Sequence, residues 1–141
     1  MTTYTASQLR RALRRSGLTV AYAEGWDSHD IDPFGTSPMA GVVMHHTANG
    51  GAKGNNPSLY WQIRNEYYPV RAAHCNIGRD GLVTIIAARG AYHAGACTRP
   101  EGGMNLGGTW VPSSSGNKML FGIEIESKGT SPATNAPVNS T

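Results

Sequence analysis

A chain of 141 residues with a net charge of +3 has the length of one domain and enough sequence to bury a core without cross-links. Its composition, 39% hydrophobic and 15% charged, excludes a highly charged disordered chain, and no apolar run reaches the length of a membrane-spanning helix. Two cysteines, Cys75 and Cys97, are too few for a disulfide framework and read as free thiols of a reducing compartment.

The positive charge is local. Arg10, Arg11, Arg14 and Arg15 face only Glu24 within residues 1–25, and the remainder of the chain is balanced. Such a run is read as a solvated helix face, with no nucleic-acid partner and no membrane insertion expected. The first residues carry no apolar stretch of the secretory type, so synthesis without a signal peptide is expected.

In chain order, residues 5–16 predict a helix: Thr5 and Gln8 fit a capping box, Leu9 and Leu13 share a face, and Gly17 stops it. Residues 18–23 predict a short strand, and the Asp/Gly/Pro/Ser-rich residues 24–38 a loop containing His29, read as a surface residue. The β-branched run at 40–47 predicts a buried strand ending in His45 and His46, followed by a second loop over 49–57. A helix is expected from Pro57 through SLYWQIRNEYY, with Leu59 and Ile63 on one side. Residues 71–78 and 82–88 flank Arg79-Asp80-Gly81 and predict a hairpin. Residues 94–118 read as a long loop of little periodicity, in which Ser113, Ser114 and Ser115 form a linker. A last strand is expected over 119–127, before a polar tail. These elements imply a single α/β or α+β domain over 1–141 with a mixed sheet.

Three features could carry chemistry. Adjacent strand residues point to opposite faces, so only one of His45 and His46 can face a given site, as a metal ligand or as a core histidine. Strand 119–126 places Phe121, Ile123 and Ile125 on one face and Gly122, Glu124 and Glu126 on the other. A carboxylate such as Glu124 within an apolar strand fits either the wet face of an edge strand or a general base with a raised pKa. Tyr60, Trp61, Tyr67 and Tyr68 could form a sugar-stacking surface, or divide between core and exterior. His74 and Cys75 diverge as strand neighbours, against a Cys-His dyad. No G-x-G-x-x-G or Walker spacing supports phosphate binding.

Four segments in order resemble the zinc-dependent N-acetylmuramoyl-L-alanine amidases, a family that includes phage endolysins and peptidoglycan recognition proteins. Val42–Ala48 is similar to the family's apolar strand ending in H-x-[ST]. Ala73–Gly81 is similar to its A-H-x-x-I-x-R-D-G hairpin, Ala91–Gly95 to A-W-H-A-G, and Phe121–Glu126 to I-G-I-E-[IL]. The resemblance implies a central mixed sheet flanked by helices and one zinc ion. It implies hydrolysis of the amide between N-acetylmuramic acid and L-alanine in bacterial peptidoglycan. By position it makes His45 a zinc ligand and Glu124 the catalytic carboxylate, and leaves His46, His74 and His93 as substrate-side residues or residues behind the ligands. Ala73 occupies the place of a catalytic Tyr in other branches. The family's two further zinc ligands, after an additional helix, have no counterpart in residues 127–141. The expectation is therefore a catalytic domain lacking its C-terminal helix and closing ligands, with a C-terminal piece of the same parent as a possible partner. A phage endolysin made in the host cytoplasm and acting on the wall after release is expected. The alternative is a peptidoglycan-binding module of the same fold without catalysis.

Overall fold

The computed structural model describes residues 4–28, 39–64, 71–95 and 102–129. Their elements are helix α1 (Ala6–Arg15), strands β1 (Val20–Tyr22) and β2 (Gly41–His46), helix α2 (Leu59–Ile63), strands β3 (Cys75–Ile77), β4 (Val83–Ile85), β5 (Gly103–Leu106) and β6 (Thr109–Pro112), helix α3 (Gly116–Met119) and strand β7 (Leu120–Ile125). A five-stranded sheet runs in the order β1-β4-β3-β7-β2. It is mixed: β3 and β4 are antiparallel, whereas β1–β4, β3–β7 and β7–β2 are parallel. The mixed sheet with flanking helices expected from the sequence is thus present.

Helix α1 begins as its capping box predicts. Gln8 N–H donates to Thr5 Oγ1 at 3.2 Å, and Thr5 N–H donates to Gln8 Oε1 at 2.7 Å. These bonds satisfy two of the donors that a helix start leaves free. Arg14 and Arg15 fall in the last turn, where the helix dipole favours cations. The helix lays Ala6, Leu9 and Leu13 against a core of Trp26, Cys75, Val83, Ile85 and Ala88 on one face of the sheet. Arg10 is not merely solvated. Its guanidinium lies 5.1 Å from the Tyr22 ring centroid and 5.0 Å from that of Trp26, closing the seam between helix and sheet.

The hairpin β3–β4 turns where the sequence places it. Gly81 has φ of 80°, which an L side chain would resist, and its N–H donates to the Gly78 carbonyl. Three expectations are corrected. The run at 40–47 is not a fully buried strand: β2 is an edge of the described sheet, with Val42 and Met44 over 60% exposed. Its β-branched residues fit one covered and one open face equally well. Residues 102–118 are not unstructured: β5 and β6 form an antiparallel hairpin, and Ser113–Ser115 form a 3₁₀ turn leading into α3 rather than a linker. The hairpin's short strands are punctuated by Gly107 and Gly108, which hid the alternation. Helix α2 covers five residues and buries Gln62 rather than Leu59 or Ile63. Residues 65–68 of the expected helix, the loop with His29, Cys97 and the tail beyond residue 129 lie outside the described residues.

Thr5→Ala removes the side-chain half of the capping box, the Oγ1 acceptor of Gln8 N–H, and leaves the backbone N–H of residue 5 to Gln8 Oε1. It is expected to lower unfolding stability by about 1 kcal/mol, read as a lower urea midpoint at unchanged slope. An unchanged midpoint would show that α1 does not contribute to the cooperative unit.

Candidate active site

Strand β7 lies inside the sheet, between β3 and β2, which overturns the edge-strand reading of Glu124. Parallel pairing sets His45 beside Glu124, and Asn76 beside Glu124 on the other side. Residues in register point to the same face. One face therefore carries His45, Glu124, Glu126 and Asn76, and the opposite face carries Ile123, Ile125, Cys75 and Ile85 toward α1. His46 pairs with Ile125, so it alternates away from His45; as the last residue of an edge strand it still borders the cleft described below.

Three imidazoles line up across the site face. His93 Nδ1 lies 3.4 Å from His45 Nε2, and its Nε2 lies 2.8 Å from the Leu120 carbonyl oxygen. Its ring occupies the space that a side chain at position 122 would need: a Cβ on Gly122 would sit 2.2 Å from His93 Cγ. Asn117 Oδ1 accepts from the N–H groups of His93, Ala94 and Gly95 at 2.8–3.1 Å, fixing the segment that presents the ring. His74 is fully buried, accepts from Gly122 N–H at its Nδ1 (3.0 Å), and stands edge-on to His93 with ring centroids 5.1 Å apart. Burial first, and the neighbouring His93 second, push the His74 pKa down to about 3. Burial likewise pushes His93 down to about 4, against the raising effect of its bond to Leu120. Burial and then His46 lower that of His45. All three rings favour the neutral form, the one that can ligate a metal.

The carboxylates of Glu124, in β7, and Glu126, just beyond its end, have different surroundings. Glu126 is fully buried and receives Ser58 N–H (2.8 Å), Thr47 Oγ1 (3.0 Å), Ser58 Oγ (3.2 Å) and Asn76 Nδ2 (3.3 Å). It ties β2, the start of α2 and β3 together. Glu124, two residues earlier, is partly buried with no such ring of donors among the hydrogen bonds of the described residues. Burial, and secondarily the charge of Glu126, raise its pKa. It opens onto a cleft of about 170 Å³ bordered also by His46, Thr47, Ser58 and Trp61.

The loop before α2 is held by the R-D-G segment. Arg79 donates to the carbonyls of Asn49, Ala52 and Gly54 at 2.7–3.0 Å, and Asp80 accepts from Asn55 Nδ2 at 2.8 Å. These bonds tie the loop to the β3–β4 turn. Ala48 leaves β2 with φ of 53°, a conformation that costs an L residue roughly 1–2 kcal/mol. Buried Cys75 has its thiol pushed up to about 12 by burial and lies on the opposite layer, so it forms no dyad with His74.

Of the residues singled out from the sequence, His45, His74, His93 and Glu124 therefore meet on one face, with His46 at its rim. Sequence reasoning missed Glu126 as the anchor of this face and Asn117 as the anchor of His93. The E-x-E spacing hinted at the first; nothing local marks the second, because its partners lie 22–24 residues away. As a metal site, the described residues supply imidazoles of the right protonation state, but among them no three His, Cys, Asp or Glu side chains gather closely enough to hold an ion. They fit one ligand position rather than a complete set.

Compared with known families, residues 35–141 match the family model described as N-acetylmuramoyl-L-alanine amidase. Comparison with curated proteins and with solved structures returns no match.

The depressed imidazole pKa values carry a stability prediction. The unfolded chain takes up protons at its histidines near pH 6.5, whereas His74 and His93 resist protonation in the fold until about 3 and about 4. Their contribution is thus fully present above pH 6.5 and is lost as pH falls from there toward those values. Imidazole NMR resonances of His74 and His93 are expected to stay at their neutral positions at pH 5, while the urea midpoint declines below pH 6.5. Titration of either ring near 6.5 would contradict the burial described.

Proposed function

Because the chain belongs to the N-acetylmuramoyl-L-alanine amidase family, we propose that it hydrolyses the amide joining N-acetylmuramic acid to L-alanine in peptidoglycan, with Glu124 as general base and His45 as a ligand of a catalytic zinc ion. The single observation that carries this reading is the pairing of His45 with Glu124 on one face, beside an open cleft. A general base must be close to the reacting water, must not be saturated by other donors, and works best with a pKa moved toward the operating pH. Glu124 meets the last two conditions, whereas Glu126, held by four hydrogen bonds, is already saturated with donors.

Zinc, when bound, supplies Lewis acidity at the scissile carbonyl and lowers the pKa of a water. The chain's own contribution is proton handling and orientation. Glu124 takes the proton of the attacking water onto its carboxylate as oxygen bonds to the carbonyl carbon. The same proton then passes to the nitrogen of L-alanine as the amide C–N bond breaks, leaving a free amino terminus and a lactyl carboxylate. Trp61, exposed at the rim of the cleft, offers a flat apolar surface to a sugar ring.

A role in phage lysis is part of the proposal: synthesis in the host cytoplasm and action on the wall after release. It rests on the Gly-rich loops and Arg-rich first helix typical of the endolysin reading. One observation favours a second reading, a peptidoglycan-binding module without catalysis: no set of three ligands gathers among the described residues.

Digestion of purified peptidoglycan in the presence of zinc, with products identified by mass spectrometry, separates the two. The amidase reading predicts new L-alanine amino termini; sedimentation with peptidoglycan but no such termini supports the binding module. Glu124→Gln is expected to lower turnover by about 10²–10⁴ with peptidoglycan binding retained. Since the base acts only when ionised, activity must fall as pH drops through the Glu124 pKa, and burial places that acid limb above the ordinary carboxylate value of 4.5. Undiminished turnover by the Gln variant would remove Glu124 from the mechanism.

A further inference from the structure

Gln62 is buried, with 2% of its surface exposed, yet its side-chain Oε1 has no hydrogen-bond partner. Its backbone is held on both sides. Gln62 N–H donates to the Ser58 carbonyl at 3.1 Å, and the Gln62 carbonyl accepts from Ala72 N–H at 2.9 Å. Ser58 N–H is in turn bonded to Glu126. Helix α2 is thus pinned while the acceptor oxygen it carries stays unpaired. Other buried polar atoms lack a partner too, but among the described residues Gln62 is the one of them that borders the cleft beside Glu124. A buried acceptor left unpaired costs stability that an apolar side chain of the same size would not. An atom that carries such a cost at the edge of a cleft calls for a partner that arrives with a ligand.

We propose that Gln62 is a specificity-determining residue of this cleft: its Oε1 accepts the acetamido N–H of N-acetylmuramic acid. This rests on the reading of the cleft as a peptidoglycan site. It adds which group of the sugar is recognised and which side chain recognises it.

An amide oxygen only accepts, so the ligand group that meets Oε1 must be a donor. The neighbouring hydroxyls do not fill that role from within the protein, because Thr47 Oγ1 and Ser58 Oγ direct their protons to Glu126. Trp61, the preceding residue, is 55% exposed at the rim and presents its ring to a sugar face. In N-acetylmuramic acid the acetamido group stands on the ring carbon next to the one bearing the lactyl ether. It therefore lies close to the amide that is to be cut. The cleft repeats that neighbourhood: Trp61 and Gln62 are consecutive on α2, and Glu124 borders the same space of about 170 Å³. The last torsion of a glutamine side chain is broad, so Oε1 turns toward the cleft with no bond to break. A site that pairs a ligand N–H discriminates against an analogue lacking it, since its own polar atom is then left unpaired.

The test is binding of soluble N-acetylmuramoyl-L-alanine amide to the whole chain, followed by NMR of the Gln62 side-chain NH₂ group, and it needs no turnover. Two analogues accompany it: one with an acetate ester in place of the acetamido group, one with an ester in place of the amide that follows L-alanine. The parent ligand is expected to shift the Gln62 resonances, and the acetate ester to bind about 10-fold more weakly. Gln62→Met should lose about the same factor for the parent and bind parent and acetate ester alike. Because Met leaves no unpaired acceptor, the urea midpoint of this variant should equal or exceed that of the unaltered chain. A purely structural Gln62 would instead lower the midpoint, and that result overturns the proposal. So does failure to bind the parent, equal binding of the acetate ester by the unaltered chain, or weakening by the second ester alone, which would place the N–H in the peptide. Discrimination as expected by a chain that releases no L-alanine termini would sink the amidase reading and leave this one standing; amidase activity without discrimination would do the reverse.

Discussion

The parallel pairing of β2 with β7 governs the arrangement of the site. Side chains alternate along a strand, so a slip of one residue in this pairing would send His45 into the layer with Ile123 and leave His46 beside Glu124. Two features resist such a slip. The apolar alternation of β7 directs Phe121, Ile123 and Ile125 toward the layer covered by α1, and reversal would drive Glu124 and Glu126 into it. The second is Glu126, whose carboxylate is bonded to Thr47 just beyond β2, to Ser58 ahead of α2 and to Asn76 of β3. Removing any one of those donors leaves the others, but removing the carboxylate leaves several buried groups unpaired, each at a cost of about 1–3 kcal/mol.

A division of labour between two carboxylates two residues apart follows. Both point to the same side of the sheet, Glu126 fully buried and Glu124 partly so. What separates them is donor supply. Glu126 is surrounded and acts as a structural bolt, while Glu124 is left short of donors, beside a charge of its own sign, at the floor of a cleft. Donor supply lets one carboxylate serve structure while the other stays available for the proton transfer proposed above. The histidines show the same economy: His74 and His93 lie behind His45 as neutral, oriented rings.

Much of this was legible in the sequence because it is periodic or local. The capping box of α1 and the Asp-Gly turn depend on residues within a few positions, and the two faces of β7 follow from alternation alone. The likeness of four segments to one family added the order in which they meet. What the sequence did not reveal is non-local. Which strand lies at the edge depends on pairing, so β2, expected to be buried, lies at the edge, and β7, whose place alternation left open, lies inside the sheet. The hairpin β5–β6 was hidden because glycines interrupt its short strands. Gly122 reads as a gap in an apolar strand until the His93 ring is found above it, and Asn117 reads as a loop residue until three N–H groups 22–24 positions earlier are found on its oxygen.

The central claim is that one register, β2 against β7, brings His45 and Glu124, the zinc ligand and general base proposed above, to the same side of one sheet. Zinc-edge anomalous diffraction from crystals of the protein soaked in zinc tests it most directly. The account predicts an anomalous peak bonded to the His45 imidazole on the Glu124 side of the sheet. A peak bonded to His46 instead, with the His45 ring turned into the layer beneath α1, would contradict it.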